Sequence, residues 1–441
     1  MKRLGLFLLL LSLLFVYSRS QVMFIVRRTA MGEWAPKTGV LTLLDTACIK
    51  TEYKFPYAIR VGVSDVVAIA YSDADDDIIV ETRSILGDVI GDTINTWTVL
   101  SDPDGDDPVY FGKLLSIEDS NDRYMIALRH TGNTQIPGYG EGVRLVALIT
   151  FGIASDGEID TTSMDTLIYN YTNSYVAAAY RNDFDVVHVR DSLYALFRRG
   201  LSTTHRVEYA SFVATSDTIY ANQDLTLSSA GYVGSGYVNF TAIVHNDHPA
   251  RGESNAILCK YERLASLSGY TFKTYMNSGD TLSLDNDTHE WGGFTSISES
   301  IGIDRIYGTE YYVALYSINN GVNDVLRVRT FEGDTTSESL TKAAIDTWID
   351  IGIGHNDASS IYVQNSDSLF YNTSVVEDSI YSYVTAVNRS TGVINQSLID
   401  SIRVVCIDTY DHPYTIYINR GKFLSVYGTG TNGMIALFEM D

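Results

Sequence analysis

One short phrase returns along the whole chain, and it constrains the fold more than any other feature. It reads Leu44-Asp45-Thr46-Ala47-Cys48-Ile49, Ile94-Asn95-Thr96-Trp97, Met164-Asp165-Thr166-Leu167-Ile168, Ile345-Asp346-Thr347-Trp348-Ile349 and Ile399-Asp400-Ser401-Ile402. The units carrying it are roughly 55 residues long, a period at which chains build arrays of one supersecondary unit. Inside each unit, short apolar runs rich in β-branched and aromatic residues alternate with Gly, Asn and Asp turns, and no stretch sustains helical periodicity. The expected fold is therefore all-β: a seven-bladed β-propeller of four-stranded antiparallel blades, the last blade closed by an N-terminal strand.

Reading four strands per unit, from the axis outward, gives residues 57–61, 66–71, 78–84 and 94–100 for the first. The second takes 109–117, 124–129, 143–151 and 164–169, and the third 186–190, 193–198, 206–213 and an outer strand near 225–227. The fourth takes 237–238, 240–244, 256–261 and 270–275, the fifth 301–306, 311–316, 325–331 and 344–349, and the sixth 360–363, 369–371, 381–387 and 398–406. The seventh has 414–418, 423–427 and 434–438, and its outer strand is expected from residues 40–49, which removes an open edge and ties both termini down. In 325–331, Arg327 and Arg329 share one face while Leu326, Val328 and Thr330 share the other. Second strands such as Val66-Val67-Ala68-Ile69-Ala70-Tyr71 are continuously apolar and are expected to be packed on both faces.

Asp185-Val186-Val187-His188-Val189-Arg190-Asp191-Ser192-Leu193-Tyr194-Ala195-Leu196-Phe197-Arg198-Arg199-Gly200 resembles the recurring segment of poorly characterised secreted microbial β-propeller repeats. Ser155-Asp156-Gly157-Glu158-Ile159-Asp160 is similar to the hairpin of that family, and residues 67–72 and 312–317 to its inner strand. The resemblance implies fold and secretion and no established reaction.

Residues 1–20 read as a signal peptide: Lys2 and Arg3, an apolar run from Leu4 to Tyr17, then Ser18-Arg19-Ser20. Residues 21–39 form an N-terminal extension and 40–441 the propeller. Because Val22-Met23-Phe24-Ile25-Val26 resumes the apolar run, an uncleaved anchor over 4–26 is the competing reading and the sole route to a membrane. The formal charge of −23, from 54 acidic and 31 basic residues, repels phosphate backbones and excludes nucleic acid as a partner. Three cysteines, Cys48, Cys259 and Cys406, do not make a disulfide scaffold. Cys48 and Cys406 fall near outer strands of adjacent units, where one bridge is an alternative to buried free thiols. Asn-x-Ser/Thr sequons stand at Asn170, Asn239, Asn286, Asn372, Asn388 and Asn395.

Connections after the second and fourth strands share one face, and that face collects the unusual chemistry. The candidate ligand-binding residues are His245, Asp247, His248, His289, Trp291, His355, Asp357, Asp411 and His412, where imidazole, carboxylate and indole suit a polar ligand. Polar turn formers accumulate in loops without any ligand, so the same residues also read as ordinary turns. Asp73, Asp75, Asp102, Asp104 and Asp106 form two acidic loops of the first unit, hard oxygen donors of the kind calcium takes. As ordinary acidic turns these loops need no metal, and Ca2+ is the one candidate cofactor. Trp97 and Trp348 hold equivalent outer-strand places and are expected to pack rather than to bind.

No coherent catalytic constellation emerges. The function expected is a secreted or cell-surface non-catalytic propeller for adhesion, recognition of a glycan or surface protein, or extracellular self-assembly. The alternative is a carbohydrate-active hydrolase or lyase on the same scaffold, with acid–base carboxylates among Asp247, Glu290, Asp357 and Asp411.

Overall fold

The computed structural model describes residues 39–49, 53–75, 77–101, 110–118, 120, 122–130, 145–170, 184–199, 206–232, 240–245, 256–263, 268–276, 282–291, 297–306, 311–319, 324–332, 348–353, 357–362, 369–376, 379–395, 399–405, 413–419, 421–428 and 432–440. The segment read as a signal peptide lies outside these. Among the described residues no helix is long and apolar enough to cross a membrane.

Strand β1 (Leu41–Ile49) comes first in the chain and belongs to the last sheet. Sheet 1 is β2 (Lys54–Arg60), β3 (Val66–Ser72), β4 (Ile78–Leu86) and β5 (Val89–Leu100). Sheet 2 is β6 (Tyr110–Ser116), β7 (Arg123–His130), β8 (Leu145–Ile153) and β9 (Ile159–Asn170). Sheet 3 is β10 (Phe184–Arg190), β11 (Leu193–Arg199), β12 (Arg206–Ala214), β13 (Ile219–Ala221) and β14 (Thr226–Tyr232), with β13 and β14 both paired to β12. Sheet 4 is β15 (Phe240–His245), β16 (Ala256–Arg263), β17 (Ser268–Met276) and β18 (Leu282–Trp291). Sheet 5 is β19 (Ile297–Arg305), β20 (Tyr311–Asn319), β21 (Asp324–Glu332) and β22 (Trp348–Ile353). Sheet 6 is β23 (Asp357–Tyr362), β24 (Leu369–Val376), β25 (Ser379–Ala386) and β26 (Asp400–Val405). Sheet 7 is β27 (Tyr414–Asn419), β28 (Lys422–Gly428) and β29 (Gly433–Met440), completed by β1 in antiparallel register from Leu41 opposite Met440 to Ile49 opposite Gly433.

Second strands carry the core. β3 is buried along its whole length, as are residues 123–128 of β7, 193–198 of β11 and 423–428 of β28. Their side chains divide by the two-residue period of a strand. Val66, Ala68 and Ala70 join Tyr124, Ile126 and Leu128 of sheet 2, whereas Val67, Ile69 and Tyr71 join Leu424 and Val426 of sheet 7. Equivalent clusters lie between sheets 2 and 3, 5 and 6, and 6 and 7. Among the described residues the core is a series of apolar layers between sheets, and β3, β7 and β28 each serve two of them. Ala68, Ala70, Ala127 and Ala195 are fully buried, and their small side chains let facing sheets approach closely. The third strand β21 alternates as expected: Leu326, Val328 and Thr330 are buried while Arg327 and Arg329 are half-exposed. Trp97 packs on Phe151 of sheet 2, ring centroids 4.9 Å apart.

First strands adjoin one another in order: β2 touches β6, β6 touches β10, β10 touches β15, β15 touches β19, β19 touches β23, β23 touches β27 and β27 touches β2. Polar groups tie the sheets together farther out. The repeated outer-strand Asp serves this purpose. Asp45 accepts the N–H of Ile90 at 2.8 Å, Asp165 that of Ile219 at 2.9 Å and Asp400 that of Leu41 at 2.7 Å, in each case on the following sheet. Thr82 and Thr330 donate at 2.6 Å to the carbonyls of Gly157 and Gly392 in hairpins of the following sheets.

Sheet 4 corrects the sequence reading. Phe240–His245 is its first strand, not its second, and residues 270–275 fall in its third. Its outer strand is Leu282–Trp291, a Ser-, Asp- and Asn-bearing segment that reads as a loop. An outer strand need bury only one face, so its sequence lacks the apolar run that announces a second strand. In sheet 3 the outer strand expected near 225–227 is divided between β13 and β14. Cys48 is a free and exposed thiol on β1, not a buried one, and Cys406 lies outside the described residues.

Candidate functional site

Four first strands carry a polar side chain at the same level. Tyr57, Lys113, Asp185 and Tyr414 each stand four positions before the aliphatic residue that closes the strand, namely Val61, Ile117, Val189 and Ile418. Those aliphatics are at most 2% exposed, so they anchor the register of each strand in the core. The equivalence brings four residues far apart in sequence onto one arc, because β27, β2, β6 and β10 are successive neighbours.

The arc consists of two pairs. The rings of Tyr57 and Tyr414 stack with centroids 3.6 Å apart, and the Tyr414 hydroxyl donates to that of Tyr57. Lys113 Nζ lies 2.9 Å from Asp185 Oδ1, with 18% and 11% of the two side chains exposed. Asp185 Oδ1 also accepts the N–H of Val186 at 2.8 Å. Tyr57, Lys113 and Tyr414 are all half-buried, although they sit on the innermost strands.

Burial pushes both phenols well above the ordinary tyrosine range; Tyr57 feels the Asp185 charge as well, and Tyr414 the proximity of Tyr57. Burial works against the Lys113 ammonium, but the Asp185 carboxylate and Tyr414 outweigh it and hold the amine protonated above its usual range. At neutral pH the quartet therefore contains two neutral hydroxyls and one internally balanced ion pair. It can donate and accept hydrogen bonds and offers aromatic surface.

Of the nine residues expected to bind, the described ones, His245, His289, Trp291 and Asp357, do not share one end of the sheets. His245 ends β15, a first strand, and Asp247 and His248 follow in the connection to β16, outside the described residues. That is a first-to-second-strand connection, so the segment leaves from the end opposite to the one the sequence reading gave it. The shifted assignment of sheet 4 is the cause. His289 and Trp291 are not loop residues: they sit on β18, opposite Thr271 and Gly269 of β17. Trp291 ends that fourth strand, at the end where first strands begin. Asp357 opens β23, opposite Val375. His355, Asp411 and His412 lie outside the described residues, though Asp411 and His412 directly precede Pro413 and Tyr414 in the chain.

Of the acidic loops, the described part is a closed turn. Asp73 Oδ1 accepts the N–H groups of Asp75 and Asp77 at 3.0 Å each, and the N–H of Asp73 donates to the carbonyl of Asp77. Asp102, Asp104 and Asp106 lie outside the described residues. Among the described residues no group of three His, Cys, Asp or Glu is arranged to hold a metal ion. Asn388 and Asn395 flank an exposed turn, whereas Asn286 and Asn372 lie inside β18 and β24.

The quartet escaped the sequence reading because each member is an ordinary strand residue. A signal was present in the repeated Pro56-Tyr57 and Pro413-Tyr414, and in a polar residue breaking the start of an otherwise apolar first strand.

No family model matches the chain, and no curated protein matches it. Solved structures are similar at low identity. The S. cerevisiae core factor aligns at 9% identity over 93% of this chain and 62% of that one, with a TM-score of 0.45. AofleA from Arthrobotrys oligospora aligns at 10% identity over 83% of this chain and 94% of that one, TM-score 0.39. The α-L-arabinanase of Penicillium chrysogenum, complexed with arabinobiose, aligns at 8% identity over 92% and 98%, TM-score 0.40. At these identities and TM-scores the likeness assigns this chain neither activity nor site.

Proposed function

We propose that the seven sheets are the blades of one closed propeller and that the ring is a secreted, non-catalytic recognition module for a polar ligand. Closure is supported by the unbroken succession of first-strand contacts from β2 around to β27 and back to β2, and by β1 completing the sheet that holds the C-terminal strand. Secretion is supported by the basic, apolar and small-residue pattern of residues 1–20.

The observation that carries the recognition reading is the quartet. Glycoside hydrolysis calls for two carboxyl groups about 5–10 Å apart, one of them free to exchange a proton. Here the single carboxylate, Asp185, is held by an ammonium and by a backbone N–H, and the remaining groups are neutral phenols. Such groups supply hydrogen bonds and aromatic surface to a ligand and lack the paired carboxyls of the usual hydrolytic arrangement. The ligand is expected at the sheet ends where first strands begin, close to Tyr414 and to the segment carrying Asp411 and His412.

Purified protein tested in parallel for binding to arrayed glycans and for hydrolysis of polysaccharides decides between recognition and catalysis. Binding without turnover is the expected result. Release of reducing ends that is lost in Asp185→Asn overturns it.

A further inference from the structure

We propose that the arc formed by Tyr414, Tyr57, Lys113 and Asp185 is the inner subsite of the propeller and that it accepts an uncharged, polyhydroxylated group, the chemistry of a neutral oligosaccharide. The inference rests on the recognition reading above and deepens it by naming the ligand class and the residues that select it.

Three observations converge. First, the four residues occupy one register position on four successive first strands, so they face a common space rather than four separate environments. Second, the arc is not sealed: Tyr57, Lys113 and Tyr414 are half-buried, and the Lys113 side chain keeps 18% of its surface on strands whose closing aliphatics keep almost none. Innermost side chains that remain accessible line the interior of the ring. Third, their charges cancel within the arc. An anionic group would have to displace Asp185 from Lys113 or lie against that carboxylate, and a cationic group would meet the ammonium. In a partly desolvated setting either arrangement leaves a charge uncompensated, which is costly. The surrounding charge of −23 adds to the barrier against anions.

A neutral polyol meets none of these penalties. Its hydroxyls both donate and accept, as phenols do, while the ammonium offers donors and the carboxylate accepts. Its C–H faces pack on the stacked rings, where an aromatic body and a polar tip act together. A site of this kind, with apolar aromatic surface and a few fixed polar groups, is the usual construction of a small-ligand site.

The test uses the full secreted chain on an array of matched glycans that differ only by a carboxylate, such as glucose-based and glucuronate-based oligosaccharides of the same linkage. Wild-type protein is expected to bind neutral members and to reject their acidic counterparts. Tyr57→Phe and Tyr414→Phe each remove one hydroxyl and are expected to weaken binding roughly tenfold, the effect of one hydrogen bond. Bound glycan is also expected to slow acetylation of Lys113, read from peptide masses in the unaltered protein, so the conclusion does not depend on a variant folding. Preference for acidic glycans overturns the proposal, and so does neutral-glycan binding that neither Phe variant weakens and that leaves Lys113 acetylation unchanged. In that last case recognition stands and the subsite lies elsewhere, whereas a chain that binds no member of the array overturns both readings.

Discussion

The carboxylate of Asp400 accepts the backbone N–H of Leu41 at 2.7 Å, across 359 residues of sequence. Its other oxygen accepts the N–H of Ser401 beside it at 2.8 Å. Asp165 and Asp45 repeat the arrangement, each taking the next residue's N–H with one oxygen and a strand of the following sheet with the other. The recurring Asp-Thr or Asp-Ser phrase is therefore a clasp between sheets. Asp400→Ala leaves the Leu41 N–H without its acceptor and is expected to cost about 1–3 kcal/mol, the range for a buried donor left unsatisfied. Urea denaturation measures it. An unchanged midpoint contradicts the clasp.

The clasp has a pH dependence. At Asp165 burial disfavours the charged form, but the N–H groups of Ile219 and Thr166 and the Thr218 hydroxyl outweigh it, and the carboxyl is held below the usual carboxylate range. A group whose folded-state pKa is lowered contributes stability above its unfolded value of about 4, and that contribution is lost as pH falls through the folded value. Asp165→Asn is thus expected to lower the melting temperature more at pH 7 than near pH 2. A deficit equal at both pH values contradicts the assignment.

Gly433 faces the ring of Tyr53 so closely that a Cβ there would lie 2.3 Å from a ring carbon. Tyr53 is fully buried, stacks on Tyr71 with centroids 4.0 Å apart and donates to Glu81, so it has no room to retreat. The contact locks sheet 7 against sheet 1. Gly433→Ala is expected to destabilise by about 1–3 kcal/mol through overpacking. Thermal melts showing no loss contradict this close approach.

Strand positions were readable because period-two alternation and unbroken apolar runs report burial directly. Val66–Ser72 and the Leu326, Val328 and Thr330 face needed no tertiary information. Outer strands were readable where the recurring phrase marked them, as at Asp45, Asn95, Asp165 and Asp400. Leu282–Trp291 lacks the phrase, and its loss displaced a whole sheet by one strand, carrying His245 to the wrong end. The quartet left only a faint trace, the Pro-Tyr pairs at Tyr57 and Tyr414. Tyr57, Lys113, Asp185 and Tyr414 share no motif, and only the register of four sheets brings them together.

The acidic loop at Asp73 supplies its own partners. Because Asp73 Oδ1 already accepts the N–H groups of Asp75 and Asp77, the turn closes without a cation. Chelator and millimolar calcium are both expected to leave the melting temperature unchanged. A rise with calcium that chelator reverses would instead assign an ion to Asp73, Asp75, Asp102, Asp104 and Asp106, by the linkage of binding to folding.

Ring closure decides the rest, since Tyr414 and Tyr57 come from the two sheets that meet at the seam. Cys48 of β1 stands directly opposite Met434 of β29, and its thiol is free and exposed. In Met434→Cys, mild oxidation is expected to join the two thiols within one monomer, which binds the N-terminal strand covalently to the C-terminal one. Peptide mapping under non-reducing conditions reads the bond, and a higher melting temperature that falls on reduction accompanies it. Recovery from monomeric protein of a peptide pair that joins Cys48 to the introduced thiol is the result the closed ring predicts. Recovery of reduced thiols alone, or of the bond only between two chains, would contradict it.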